Sequence, residues 1–469
     1  MLTIKTLKGG GGASHYYAPE GRNPQQRPDE YYGEVRDQVA PTWWTPRGTL
    51  GVEDGARVKP DELREAMAGR DPAGSGKQLV QVQRREGRSE RDGGFDLHLA
   101  PPKGVSVLFA AADAETRRGL LEDMRQAAAD TLAEMHRRGA FVVRQGKGGA
   151  VAAPARDIAV ALVPHQTARD GAPLLHVHCV VVNVGRREDG KTGCLNVRGA
   201  FRAKGEAGAL FRAGVAASLE RRGVAVERVG GKARQRAANF RVAGVTRELE
   251  NAFSGRKAAM VAYIVSKHGA VSENGRVRAR QMQEAAQNTR GNKARVPTGE
   301  ALEARWRGAL TQHGLAPERV WEQARAVARV VERPSLSAAE AVALEVRDTK
   351  AVVDTAVLSR RVAEEAQFRG IGVAGAAREA ARLERDGWER VAREAERRQV
   401  RDGLERAGEG IGRAGLAVLR QASELVAGRE GLMAVFGGGR TGDAGSGGDD
   451  GDAAKPRRRR RGQDHGQER

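Results

Sequence analysis

The amino-acid sequence predicts an α+β domain built on a largely antiparallel sheet, followed by a mainly α-helical C-terminal region and a disordered tail. Three observations carry that prediction. The run ARDIAVALVPHQTARDGAPLLHVHCVVVNV (155–184) reads as two apolar strands joined by a polar turn at 168–173, the signature of an antiparallel hairpin. The stretch 114–139 repeats apolar residues at helical spacing through Leu120, Leu121, Met124, Ala128, Leu132 and Met135. From about residue 206 the pattern turns helical, and from Gly437 the composition collapses to Gly, Asp and Ser followed by KPRRRRRG, too polar to bury a core.

Taken in order, MLTIKTL is a short alternating strand followed by a glycine tether. Residues 13–75 are mixed, with Trp43, Trp44 and several Pro and Gly turns. QLVQVQRREG (78–87) is polar but strand-like. FDLHLAPPKGVSVLFAAAD (95–113) opens as a strand and breaks at Pro101-Pro102, and a second apolar stretch follows. After the helix come the strand AFVVRQG, the two histidine strands, and CLNVRG (194–199). Ser337 and Glu340 form a capping-box signature opening a long Ala/Glu/Arg-rich stretch, and a second helical stretch surrounds Trp388. Strands and helices alternating with short connections favour α+β over a parallel α/β fold.

The chain holds 469 residues with 80 Lys and Arg against 60 Asp and Glu, a formal charge of +20. That excess points to a polyanionic partner, most simply nucleic acid. No run of 18 apolar residues exists, and the N-terminus lacks the apolar core of a signal peptide, so no membrane role and a cytoplasmic location are expected. The two cysteines, Cys179 and Cys194, provide no disulfide framework.

Within the hairpin, symmetry about the turn sets His165 opposite His176, and His178 shares the face of His176 because strand side chains alternate. Three imidazoles on one face suit a divalent metal ion, against the plainer reading of a structural histidine cluster. Cys179 faces away and is not counted as a ligand. Four of the five tyrosines are Tyr16, Tyr17, Tyr31 and Tyr32. Two adjacent pairs so close to the N-terminus suggest phenol nucleophiles or stacking platforms for DNA, the alternative being an aromatic element docked on the core. Asp96, inside an apolar strand, needs a partner. It serves as acceptor for a ligand histidine or for a tyrosine proton, or it caps the strand end. His98 shares its face but is set aside, because its partner strand cannot be derived. Gly185–Thr192 matches a phosphate-loop expression, yet Glu188 and Asp189 lie where phosphates would sit and CLNV follows as a strand, so a hairpin turn is expected. GSGKQ (74–78) lacks the spacing.

Together SHYY (14–17), DEYY (29–32), Trp44–Gly48, LGVEDGARVKPDELREAMAGRDPAG (50–74), FDLHLAPPKGVSV (95–107) and the H-x10-H-x-H run at 165–178 resemble the relaxase domain of MobF-class conjugative relaxases, the TrwC/TraI family of HUH endonucleases. The resemblance implies a two-layer palm with a five-stranded antiparallel sheet and helical fingers that clamp DNA. The resemblance runs from about residue 1 to about 320 and implies a relaxase domain over 1–325; patterning and composition place after it a helical region of unassigned role over 335–436 and a disordered basic tail over 437–469. It implies that Tyr16 attacks a phosphodiester in single-stranded origin-of-transfer DNA, leaving a 5′-phosphotyrosine and a free 3′-hydroxyl, with Tyr17 beside it. By the same resemblance Tyr31, with Tyr32 next to it, matches the second-pair tyrosine of a second strand transfer, and Asp96 matches the carboxylate beside the histidine triad. The implied cofactor is one divalent ion, Mg²⁺ or Mn²⁺, although three imidazoles also suit Zn²⁺, Co²⁺ or Ni²⁺. Implied partners are the single strand and hairpin of the origin of transfer, a type IV secretion coupling protein, an accessory DNA-binding protein and a separate helicase. Translocation to the recipient cell and an absence of ATPase activity follow as expectations. Two other classes use similar features: a rolling-circle replication initiator or transposase, and a non-catalytic nucleic-acid-binding protein with a metal-stabilised sheet.

Overall fold

The computed structural model describes residues 2–8, 39–81, 84–85, 88–89, 91–146, 149–168, 170–196, 198–230, 238–289, 299–331, 334–349 and 354–409. Met1–Glu396 form one compact unit and Arg397–Arg469 a second. The strands are β1 Leu2–Lys8, β2 Thr42–Trp44, β3 Arg84–Arg85, β4 Arg88–Ser89, β5 Asp92–Leu99, β6 Val142–Gln145, β7 Val151–Pro154, β8 Asp157–Thr167, β9 Pro173–Arg186, β10 Thr192–Gly193, β11 Leu195–Asn196, β12 Val226–Val229 and β13 Asn239–Val242. The helices are α1 Pro60–Met67, α2 Lys103–Ala111, α3 Ala114–Arg137, α4 Arg198–Arg221, α5 Arg247–Ala252, α6 Gly255–His268, α7 Gly275–Asn288, α8 Glu300–Gln312, α9 Pro317–Ala328, α10 Ala338–Thr349, α11 Thr355–Ala366, α12 Gly372–Asp386 and α13 Trp388–Glu409.

The central sheet runs β1-β5-β9-β8-β2, five antiparallel strands as expected, with the two-residue β10 added at the end of β9. Alternation along the strands divides it into two faces. Phe95, Leu97 and Leu99 of β5, Val177, Cys179 and Val181 of β9, and Val160 and Leu162 of β8 form one face. They share a core with Val105, Val107, Leu108, Phe109, Ala110 and Ala111 of α2, Leu120, Met124 and Leu132 of α3, and Phe211, Val215 and Leu219 of α4. The predicted stripe on α3 is the one buried, and Asp113 caps that helix by accepting from Thr116 N at 2.7 Å.

Among the described residues, apolar side chains of β2 and α1 cover one end of the opposite face. There Val180, Val182 and Val184 of β9 and Ala159, Ala161 and Val163 of β8 pack with Trp43 and with Leu63, Ala66 and Met67 of α1. The histidines lie on this same face, further along β8 and β9. The segment after β2 is tied down by Asp157, which is fully buried. Its carboxylate accepts from Thr45 Oγ1 (2.8 Å), Arg47 N (3.1 Å), Thr49 N (2.7 Å), Thr49 Oγ1 (2.6 Å) and Ile158 N (3.0 Å).

The apolar stretch after Pro101-Pro102 is the helix α2; an all-apolar run has no period to separate helix from strand. The long Ala/Glu/Arg-rich stretch divides in two. α10 begins with the capping box, Ser337 N donating to Glu340 (2.9 Å) and Glu340 N to Ser337 Oγ (3.3 Å), and α11 restarts at the N-cap Asp354. These helices and α12 share a core with Ala209, Leu210 and Ala213 of α4, so they belong to the same compact unit as the sheet. The β12/β13 hairpin interrupts the stretch read as helical after 206. Among the described residues no helix is long and apolar enough to cross a membrane. The proposed tail, 437–469, lies outside them.

Candidate metal centre

Two antiparallel pairings assemble the site. The β8–β9 register sets His165 opposite His176, as the symmetric hairpin predicts, and a bulge follows between His165 and Thr167. The β5–β9 register sets His98 opposite His178. Two strands therefore flank β9 and deliver one imidazole each to the edge formed by His176 and His178. His165, His176 and His178 are all buried. Ring centroids are 5.1 Å apart for His165–His176, 4.8 Å for His165–His178 and 5.0 Å for His176–His178. His98 stands 4.6 Å from His176 and 5.0 Å from His178. The sequence reading set His98 aside; the structure brings it into the cluster, where one nitrogen each of His98, His176 and His178 lie within 4.8 Å of one another.

Asp96 is buried on β5, and both of its carboxylate oxygens lie 2.9 Å from His178 Nδ1. A carboxylate only accepts, so Nδ1–H is the donor. The same logic fixes His176, whose Nδ1 donates to the carbonyl of Leu174 at 2.8 Å. Both rings thus present Nε2, with the other nitrogen held in the manner that orients metal-bound histidines. Burial, then the neighbouring His98 and His178, pushes His176 well below its ordinary value. Burial and His178 hold His98 at about 4, against an opposing pull from Asp96. Near neutral pH these two imidazoles are uncharged, the form that binds metal.

The run Pro102–Ser106 has a positioning role that sequence reasoning missed. Lys103 Nζ, at the first turn of α2, donates to the Pro173 carbonyl at 2.5 Å. Ser106 Oγ accepts from Leu175 N at 3.0 Å. These two bonds hold the start of β9 directly before His176. The turn that precedes β9 is fixed by Trp306 of α8, whose Nε1 donates to the Gly171 carbonyl at 2.8 Å. Burial pushes Lys103 down to about 8. Gln166, beside His165, is also buried, and its amide has no hydrogen-bond partner among the described residues.

Gly185–Thr192 is the expected hairpin turn. Thr192 pairs with Arg186 and Gly193 with Gly185, Arg187 N donates to the Lys191 carbonyl at 2.8 Å, and Gly190 takes the left-handed φ of 76°. No helix opens there, so the geometry that cradles phosphates is absent from this segment. Cys179 lies in the core face, as expected. Tyr16, Tyr17, Tyr31 and Tyr32 lie outside the described residues.

Known proteins match this architecture. Two multifunctional conjugation proteins TraI, from Escherichia coli strain K12 and from Escherichia coli, are 27% identical over 329 residues and 28% over 188. The matches cover 67% and 39% of this chain but 16% and 9% of those proteins, so the chain spans a small part of their length. The conjugative relaxase TrwC in complex with origin-of-transfer DNA, in a metal-bound structure, aligns at a TM-score of 0.55 with 24% identity. A copper-bound TrwC complex aligns at 0.55 with 26% identity. Each covers 68% of this chain and is itself covered completely. The TrwC relaxase family model matches residues 10–313, more than half of the chain, and so the chain belongs to the TrwC relaxase family.

Proposed function

We propose that this chain cuts and transfers a single DNA strand at an origin of transfer through a covalent 5′-phosphotyrosine. The observation that carries this reading is the imidazole cluster with its Asp96 partner, built on the central strands of a chain of this family. In the proposed reaction the Tyr16 phenolate oxygen bonds to the scissile phosphorus. The bond from phosphorus to the 3′ oxygen breaks, and that oxygen leaves as a hydroxyl after taking a proton. Storing the phosphodiester as a tyrosine ester permits rejoining without another energy source. Tyr17 is next to the nucleophile in sequence, and Tyr31, the first of the second pair with Tyr32, is assigned to a second strand transfer.

Chain length allows Tyr16 to reach the cluster. Thr3 pairs with His98 and Lys8 with Asp92, so β1 runs away from the histidines over about 17 Å. Tyr16 is eight residues beyond Lys8, and eight extended residues span about 27 Å, enough to return.

His165, His176 and His178 would hold a divalent ion. The nitrogen set fits, because the Nδ1 bonds of His176 and His178 orient those rings and the three ring centroids stand 4.8–5.1 Å apart. Such an ion, when bound, withdraws charge from the non-bridging oxygens of a phosphate. Asp96 keeps His178 in the ligating tautomer, and α2 fixes the backbone that carries His176. The excess of 80 cationic over 60 anionic side chains favours a single strand held by backbone charge and base stacking.

The test is incubation with end-labelled single-stranded DNA from a neighbouring origin of transfer. The expected product is a protein–DNA adduct that survives boiling in detergent and disappears in Tyr16→Phe. Binding of DNA and metal without any adduct would move the chain to the non-catalytic class. An adduct only with replication-origin DNA would move it to the replication initiators.

A further inference from the structure

We infer that the exposed surface formed by the first turn of α4 and the start of α11 is a second contact for single-stranded DNA, with Phe201 as its stacking platform. The inference goes beyond the strand cleavage proposed above and needs no step of it. Phe201 is 47% exposed and Val357 is 40% exposed. A single exposed apolar side chain is ordinary, but these two come from different helices and stand at one level. Helices α4 and α11 run parallel and in step. A side chain at Gly205 would begin 3.2 Å from Arg360 Cδ, and Arg212 Nε lies 3.2 Å from Gln367 Oε1. One turn before the first of these contacts lie Phe201, on the Gly205 stripe, and Val357, on the Arg360 stripe, level to within about 1.5 Å along the axes.

The fringe of this patch is cationic. Arg198, Arg202 and Lys204 are exposed, and none has an ion-pair partner among the described residues. No carboxylate lies between Arg198 and Gly205, and the next one, Glu206, is drawn to Arg138 at 3.4 Å. Unpaired cations around an aromatic ring fit a polyanion that also carries flat bases, and a single strand has both. A duplex keeps its bases stacked on one another and offers the ring nothing. The position suits a strand coming from the histidines. α4 packs on the core side of the sheet, and a side chain at Gly208 would begin 3.5 Å from Leu2 Cβ. Among the described residues β1 is the edge strand, with Leu2 opposite Leu99 and Thr3 opposite His98. A strand leaving the histidines over that edge meets α4 about 10 Å along its axis from Phe201. α11 lies beyond residues 10–313 that match the family, yet it shares a core with α4. The C-terminal helices thereby extend the strand-binding surface.

The probe is fluorescently labelled oligodeoxythymidylate, which carries no origin sequence and forms no hairpin, titrated with the EDTA-stripped full chain and followed by anisotropy. Phe201→Ala is expected to weaken binding by about fivefold or more, the scale of one lost base stack. Phe201→Trp is expected to keep the affinity, and the emission it adds should be quenched on binding unlabelled strand. Arg198→Gln, Arg202→Gln and Lys204→Gln together should lower the log–log salt slope by about 2. Circular dichroism checks that the variants fold, and Val151→Ala, at another exposed apolar site, is the comparator expected to bind as wild type. Wild-type affinity in Phe201→Ala, with a wild-type salt slope in the triple variant, overturns the inference. So does an absence of quenching in Phe201→Trp at saturating DNA, which would give the patch to a protein partner. The strand-cleavage reading is judged separately, by the covalent adduct with origin-of-transfer DNA. Binding that depends on Phe201 without any adduct would sink that reading and leave this one standing.

Discussion

Removing the Asp96 carboxylate should loosen the metal centre without unfolding the sheet. Asp96 is buried, and both of its oxygens lie 2.9 Å from His178 Nδ1. A hydrogen bond to an ionised acceptor contributes about 1.5–3 kcal/mol, against about 0.5–1.5 kcal/mol for a neutral one. In Asp96→Ala the ring is free to rotate and to take the other tautomer, so the whole contribution is lost. At about 1.4 kcal/mol per tenfold, metal affinity should fall about ten- to hundredfold. That agrees with the effect known for outer partners of metal-bound histidines. Asp96→Asn keeps an acceptor oxygen but loses the charge, a difference of about 1–1.5 kcal/mol, so its affinity should fall by about tenfold. The assay is calorimetric titration of EDTA-stripped protein with Mn²⁺, with thermal melts as the control for folding. An Asp96→Ala affinity within about twofold of wild type would refute the claim that this carboxylate orients a ligand, since outer-partner losses start near tenfold.

Two further outcomes follow from the packing. Asp157→Ala leaves three backbone N–H groups and two hydroxyls without their acceptor in a buried site, and should lower unfolding stability by about 3–5 kcal/mol; a loss under about 1 kcal/mol in denaturant titration would contradict its role as the anchor of residues 45–49. Lys103, pushed down to about 8 by burial, binds fewer protons folded than unfolded between that value and its ordinary 10.5. Its contribution to stability should therefore rise with pH through that window. Lys103→Met should remove that component from the pH dependence of the melting temperature, and identical slopes for the two proteins between about pH 8 and 10 would speak against a buried ammonium.

What was legible in the sequence was local. The pairing of His165 with His176 follows from a hairpin symmetric about its turn, and the structure has that register. The α3 stripe, the Ser337–Glu340 capping box and the Gly185–Thr192 turn are likewise set by residues a few positions apart. What sequence reasoning missed is non-local. His98 meets His178 across 80 residues, and no periodicity reveals which strand lies beside β9. Lys103 and Ser106 act on Pro173 and Leu175, about 70 residues away. Helix α2 was undecided because its run is apolar on every side. The division of the C-terminal stretch depends on Asp354, an N-cap whose effect shows only once α10 and α11 pack on α4. The tyrosines were the plainest signal in the sequence, and their roles rest on family membership together with chain length.

The central claim is that a tyrosine of the first pair becomes covalently joined to DNA. The most direct measurement is mass spectrometry of the wild-type chain after incubation with origin-of-transfer single strand and digestion by nuclease and protease. The account predicts one peptide containing SHYY (14–17) that carries a nucleotide linked through its 5′-phosphate to Tyr16, and no such peptide from Tyr16→Phe. Strand cleavage with every tyrosine unmodified, or a nucleotide attached to a residue other than a tyrosine, would contradict it.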